Sequence, residues 1–177
     1  MQYRERQEPA RRQFQKDLEG LTPETLVYLD ESGVDATLHR TYGRAPRGTK
    51  VWGEISGRRT HRLSLIAALK GSHLLAPMRF EGFGDTHVFN TWLEQVLLPE
   101  LTPGQTVILD NASFHKSSKT HDLIASKGCT LKYLPTYSPD LNPIEHHWAI
   151  IKARLRKLMT PQHSLEQALD QTLMAYQ

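Results

Sequence analysis

Apolar positions along this chain switch between two periods, and the switches divide it into elements. Residues 25 to 31 (Thr-Leu-Val-Tyr-Leu-Asp-Glu) and 106 to 110 (Thr-Val-Ile-Leu-Asp) are short apolar runs that end abruptly in carboxylates. Runs of this length read as buried strands, and an acid at the end of a buried strand sits at the rim of a sheet. Residues 61 to 69 predict another strand, closed by Lys70-Gly71-Ser72, with 73 to 80 as its hairpin partner. Residues 129 to 134 predict one more, and a strand pair near 36 to 42 and 50 to 55 brackets a glycine-rich stretch. Elsewhere the spacing is helical. Val88, Phe89, Trp92, Leu93, Val96 and Leu97 follow an N-capping Asp85 and stop at Pro99, with Trp92 in the core. A helix over His115 to Lys127 ends at Gly128, which supplies the left-handed residue beyond it. Another opens at Asn142-Pro143, with Asn as N-cap and Pro in the first helical position. The last opens at Ser164, where Gln167 completes a capping box. Residues 3 to 20 are charged with few apolar positions, which predicts a helix that packs loosely or against a missing partner and whose start is limited by Pro9. Strands followed by alternating helices and strands predict a mixed sheet with helices on both faces.

Bulk composition narrows the class. At 177 residues, 38% hydrophobic and 23% charged, the chain is sized for one domain with a proper core. A single cysteine, Cys129, excludes an internal disulfide and a cysteine-based zinc cluster, and points to a reducing compartment. No stretch approaches about 18 consecutive apolar residues, and charged sequence rather than a signal peptide follows Met1, so a cytoplasmic protein without a membrane partner is expected. The net charge of +3 is a weak pointer to nucleic acid, but its distribution is uneven. Between Arg40 and Arg62 stand seven cations (Arg40, Arg44, Arg47, Lys50, Arg58, Arg59, Arg62) against one acid, Glu54. Such an excess, interleaved with glycines and Trp52, either neutralises several phosphates or forms the solvated tip of a hairpin.

Three carboxylates carry the candidate chemistry. Two divalent ions about 4 Å apart repel strongly unless several carboxylates converge on them. Asp30 and Asp110 meet the geometric precondition if their strands are neighbours; taken singly, each reads first as an end-of-strand surface acid or turn former. Glu145 is the third. In Asn142-Pro143-Ile144-Glu145 it is the third helical residue, where Glu commonly folds back on the N-cap amide. At about 100° per residue, Ile144, Trp148, Ile151, Leu155 and Leu158 define the buried face, and Glu145 lies at its edge, where a ligand for a rim pocket belongs. Lys152 and Arg156 share that flank and could follow phosphates down it. Hard oxygen donors suit Mg²⁺. The scattered histidines make zinc a poor fit, and neither a Gly-x₄-Gly-Lys loop nor a Gly-x-Ser-x-Gly elbow is present.

Taken together, three stretches resemble the catalytic domain of DDE transposases, above all the bacterial insertion-sequence branch of the Tc-one/mariner superfamily. They are Leu29-Asp30-Glu31-Ser32-Gly33, Leu109-Asp110-Asn111-Ala112-Ser113-Phe114-His115-Lys116, and Leu134-Pro135-Thr136-Tyr137-Ser138-Pro139-Asp140-Leu141-Asn142-Pro143-Ile144-Glu145. Thirty-four residues separate Asp110 from Glu145, the spacing that superfamily uses when its third acid is Glu. The resemblance spans about residues 22 to 160. It implies an RNase H-like fold, a central mixed five-stranded sheet with helices on both faces, and two Mg²⁺ or Mn²⁺ ions. Asp30 would bridge both ions, Asp110 would complete one site and Glu145 the other. The implied reaction is hydrolysis at a transposon end, which frees a 3′-hydroxyl that then attacks target DNA. Asn111 and His115 are candidate supporting or phosphate-contacting groups, His115 being equally a helix-start residue, and Lys116 lies beside them.

Relatives carry an N-terminal helix-turn-helix region that reads the terminal inverted repeats, whereas here only about 20 residues precede the first strand. The expected organisation is therefore an N-terminal charged helix or linker remnant over 1 to 21 and a catalytic domain over 22 to 177. A separate helix-turn-helix polypeptide is a candidate partner, beside transposon-end and target DNA. A homodimer or oligomer on DNA is implied because transposition joins two ends, and a DNA-acting protein of this kind would work at the nucleoid. Two other readings stay open: a catalytically silent DNA-binding or assembly module derived from such an enzyme, and an RNase H-like nuclease cutting RNA hybrids or junctions.

Overall fold

The computed structural model describes residues 7–35, 43–52, 62–159 and 164–176. The strand expected near 36 to 42 lies outside these residues, as do Arg40, Arg58 and Arg59. Of its expected partner, residues 50 to 52 are described and are not strand.

Among the described residues the α-helices and β-strands follow one another as α1 (Glu8–Leu18), β1 (Leu26–Asp35), β2 (Arg62–Lys70), β3 (His73–Glu81), α2 (Thr86–Trp92), β4 (Thr106–Leu109), α3 (Ser118–Ser126), β5 (Thr130–Tyr133), α4 (Ile144–Leu158) and α5 (Leu165–Met174). The five strands form one mixed sheet in the order β3-β2-β1-β4-β5. β1/β2 and β2/β3 are antiparallel, while β1/β4 and β4/β5 are parallel. The five-stranded mixed sheet expected from the sequence is the one observed.

Strand alternation sorts the core into two layers. Val27, Leu29, Ile66, Ala68, Val107 and Leu109 point to one face and meet Phe89, Trp92, Leu93, Leu97 and Ile124 from α2, its continuation and α3. Leu63, Leu65, Ala67 and Leu69 point to the other and meet Ile144, Trp148, Ile151 and Leu155 of α4 with Leu165, Ala168 and Leu169 of α5. Because both faces are covered, β2 is buried from Leu63 to Leu69 without alternation.

Local chemistry explains the joints. Gly71, at φ +58°, opens the two-residue turn between paired Lys70 and His73, a conformation that favours glycine. β3 lies at the sheet edge and carries a bulge where Ile66↔Met78 gives way to Ala68↔Leu75. Ala76 sits in that bulge at φ +50°, with its carbonyl accepting from Trp92 Nε1 at 2.8 Å. Pro77 is tolerated there because an edge strand can spare a backbone donor. Asp85 caps α2 by accepting from Val88 N at 2.8 Å, and Ser164 and Gln167 form the expected capping box.

Three expectations need correction. The helix expected from His115 starts at Ser118, because Ser117 supplies the cap and accepts from Thr120 N at 3.1 Å; His115 closes a separate 3₁₀ turn. β1 runs four residues past Glu31, kept extended by its pairing with β2 down to Asp35↔Arg62. α1 is not loosely packed. Phe14 is buried against Ile108 and Leu134, Arg11 forms two hydrogen bonds to the Asp140 carboxylate (2.6 and 2.9 Å), and Lys132 reaches Asp17 at 2.9 Å.

Phe14→Ala should therefore cost about 3 kcal/mol in denaturant-monitored unfolding, the value for a large core side chain. An effect below about 0.5 kcal/mol would mean that α1 is only appended to the domain.

Candidate active site

The site is built where two parallel strands part. β1 and β4 pair through Leu26↔Thr106, Val27↔Val107 and Tyr28↔Ile108, after which β1 continues only against β2. Continued two residues, the same register sets Asp30 level with Asp110. Glu145 arrives in the first turn of α4, whose start is tied to β1: Asn142 Nδ2 donates to the Leu29 carbonyl and Asn142 Oδ1 accepts from Ile144 N, each at 3.4 Å. Asp30, Asp110 and Glu145 line one open cavity of about 410 Å³, together with Asn111, Asn142 and the loop from Leu134 to Pro139.

α4 begins one residue later than the sequence predicts, with Pro143 rather than Asn142 in the cap position. The Asn142 amide donates to the Pro139 carbonyl at 2.9 Å, so Glu145 has no cap amide to fold back on, and its side chain is exposed beside the cavity.

The acids sit in unequal environments. Burial, then the charges of Glu145 and Glu31, push the Asp30 carboxyl up to about 7 against the lowering effect of the Trp148 indole, which donates to Oδ2 at 3.0 Å. Among the described residues no cation forms an ion pair with Asp30 or Glu145. Burial also works to raise Asp110, but hydrogen bonds from His115 and the Ala112 amide hold it below the usual carboxylate range. Its Oδ1 accepts both, from His115 Nδ1 at 2.7 Å and Ala112 N at 2.9 Å, so Oδ2 is the oxygen left for a cation. Burial disfavours a charged His115, yet Asp110 and Glu31 together raise it to about 9.

The other expected site residues divide. Asn111 lines the cavity and donates from Nδ2 to the Leu134 carbonyl, fixing the loop that forms the opposite wall. His115 is 1% exposed and stands behind the acids. Lys116 is exposed, its ammonium 5.7 Å from the Tyr133 ring centre. Arg44, Arg47 and Lys50 are exposed and do not line the cavity; Arg58 and Arg59 lie outside the described residues. On α4, Lys152 is half-buried and Arg156 exposed.

Three contributors were not singled out from the sequence. Helical spacing places Trp148 on the core face, which holds for its ring but says nothing of its N–H. Glu31 was read only as part of a motif, although adjacent acids on an extended strand face opposite sides of the sheet. Tyr137, at φ +55° in the cavity wall, carries no sequence signal for that conformation.

Whether these residues suit divalent cations is a question of donors and charge. The donor set is all hard oxygen, and a buried carboxyl pushed up by two neighbouring acids is a site short of positive charge. Yet among the described residues no three His, Cys, Asp or Glu side chains stand close enough to grip an ion together. The lining of one cavity is the observation that fixes the backbone. Closure on an ion is left to side-chain rotation, which the exposed Glu145 and the half-exposed Asp110 permit. The residues fit in chemistry and position.

Comparison with known proteins identifies the family and the fold. A family model described as DDE superfamily endonuclease matches residues 25–166. No curated protein sequence matches. Among solved structures, the Mos1 mariner paired end complex with Mn is similar over 96% of this chain and 54% of its own, at TM-score 0.72 and 15% identity. The corresponding complex with Mg gives 94%, 52%, 0.71 and 16%. The isolated catalytic domain of Mos1 mariner transposase gives 95%, 78%, 0.62 and 12%. The chain thus spans about half the length of the Mos1 chains in the paired-end complexes. At these identities the likeness is one of fold, and the fold is RNase H-like. With residues 25–166 under the family model, the chain belongs to the DDE superfamily endonucleases.

Proposed function

We propose that this protein is the catalytic part of a DNA transposase of the Tc-one/mariner superfamily, in its bacterial insertion-sequence branch. It cuts DNA at transposon ends and joins the freed 3′-end to target DNA. Asp30, Asp110 and Glu145 hold two Mg²⁺ or Mn²⁺ ions. The observation that carries this reading is that the three acids line one cavity in which Asp30 is surrounded by negative charge and buried. A silent binding module gains nothing from concentrating carboxylates where phosphates must approach.

When bound, the cation pair lowers the pKa of the attacking hydroxyl and stabilises the charge on the leaving oxygen. The protein's own groups do the rest. Trp148 orients Asp30, His115 and Ala112 N orient Asp110, and Asn142 fixes the start of the helix that presents Glu145. Asn111 holds the loop against which the scissile strand lies. Arg44, Arg47, Lys50, Arg58, Arg59, Lys116, Lys152 and Arg156 take phosphates, a contact set that gives strong salt dependence and little sequence preference. Sequence reading of the terminal repeats falls to a helix-turn-helix module joined through residues 1–21 or carried on a separate polypeptide, with 22–177 as the catalytic domain. Two copies on paired ends form the working assembly, in the cytoplasm at the nucleoid.

Asp110→Asn should lower Mn²⁺-dependent nicking of DNA bearing the element's ends by more than about a hundredfold, since even a residue supporting a ligand is worth 10–100-fold. Intact nicking by that variant overturns the assignment.

The electrostatics also fix a pH profile for the metal-free protein. Asp30 is raised from 3.8 to about 7, so its burial favours the neutral form and folding stability is lost as pH climbs between those values. His115 is raised from 6.5 to about 9, so its contribution is complete below 6.5 and lost as pH rises through 9. The melting temperature without metal should fall from about pH 5 to pH 9, and millimolar Mn²⁺ at pH 8 should restore part of the loss. A flat or rising metal-free profile in scanning calorimetry contradicts this.

A further inference from the structure

His115 is 1% exposed, and both of its ring nitrogens are committed: Nδ1 to Asp110 Oδ1 at 2.7 Å and Nε2 to Glu31 Oε1 at 2.9 Å. An ionised carboxylate only accepts, so each nitrogen donates. The ring cannot slide away from this arrangement. Phe89 packs against it at 4.4 Å and Phe114 at 4.2 Å between ring centres, and its carbonyl accepts from the Tyr133 hydroxyl at 3.1 Å.

The location gives the arrangement its meaning. Asp30 and Glu31 are consecutive on an extended strand and therefore face opposite sides of the sheet. Asp30 faces α4, where Trp148 meets it, and Glu31 faces the α2 side, where His115 lies against Phe89. At this level β1 and β4 no longer pair, their last shared position being Tyr28↔Ile108. A chain of two charge-assisted hydrogen bonds, Glu31–His115–Asp110, replaces the missing backbone ladder from behind the cavity. Glu31 does not line the cavity, although Asp30 and Asp110 do.

We propose that Glu31 is a positioning residue that acts through His115, setting the height and rotation of the Asp110 carboxylate so that Oδ2 is presented beside Asp30. This rests on the reading that Asp110 holds a cation. It assigns to the second acid of the Asp30-Glu31 pair a role in cation affinity without contact with the cation.

The test compares Glu31→Ala, Glu31→Gln and Asp110→Ala with the unaltered protein. Mn²⁺ binding is measured by calorimetry, and imidazole N–H signals by proton NMR without metal. Glutamine keeps an oxygen for Nε2–H to donate to, whereas alanine does not. Glu31→Ala should weaken Mn²⁺ binding 10- to 100-fold and lose the His115 Nε2–H signal. Glu31→Gln should keep that signal and recover most of the affinity. Should Glu31→Ala not fold, His115→Gln, which can donate from one nitrogen only, should weaken Mn²⁺ binding similarly. Equal losses in Glu31→Gln and Glu31→Ala would make Glu31 a ligand itself and overturn the proposal, as would unchanged affinity in Glu31→Ala or His115→Gln. If Asp110→Ala leaves Mn²⁺ binding intact, the cation reading fails instead; the NMR signals still judge the hydrogen-bonded chain, and an Nε2–H signal that survives in Glu31→Ala overturns it.

Discussion

Three pairs of residues between β1 and β4 carry Asp30 and Asp110 to one cavity, and the packing around the sheet holds them there. Asp30 is buried beside the charges of Glu145 and Glu31, which push its carboxyl up. No cationic side chain among the described residues relieves Asp30, and burial removes the water that otherwise would. The opposition comes from packing. Aliphatic and aromatic layers on both faces of the sheet fix β1, β4 and the start of α4 independently of the carboxylates. A site held open by packing and short of positive charge is what a divalent cation can fill with little rearrangement of the chain.

The two faces of β1 divide the labour. On the α4 side, Trp148 places an indole N–H on Asp30 while its ring belongs to the core, so the same residue packs the helix and orients the acid. On the α2 side, His115 is clasped between aromatic rings and joins Glu31 to Asp110. Asn142 and Asn111 couple the surrounding loop to the ends of β1 and β4 through backbone carbonyls. Only Glu145, at the exposed edge of α4, is free of such restraint. The restraints thus fall on Asp30 and on one oxygen of Asp110, while Glu145 is left to rotate.

Much of this was legible beforehand because it follows from periodicity. Apolar runs ending in Asp30 and Asp110 become buried strands with acids at the rim, and the spacing of Ile144, Trp148, Ile151 and Leu155 becomes the buried face of α4. The three motif stretches point to the DDE superfamily because their residue order is unusual, not because composition demands it. Tertiary hydrogen bonds escaped. Nothing local marks His115 as buried: a histidine after Phe114 reads as a helix start until Glu31, far away in sequence, supplies its second partner. The register of α4 slipped by one residue because Asn142 caps from outside the helix while also holding Leu29. The packing of α1 has no signature in the sequence, since one apolar anchor, Phe14, and an ion pair to Asp140 leave no periodic trace. In the basic stretch Arg44, Arg47 and Lys50 are exposed, and the strand expected over 50 to 55 is not formed at residues 50 to 52.

Anomalous diffraction from crystals soaked in Mn²⁺ tests the convergence most directly. The account predicts two peaks within the cavity, one between Asp30 and Asp110 and one between Asp30 and Glu145, with Glu31 and His115 outside coordination distance. Peaks absent from the cavity at saturating Mn²⁺, or ions gripped without Asp30, would contradict it.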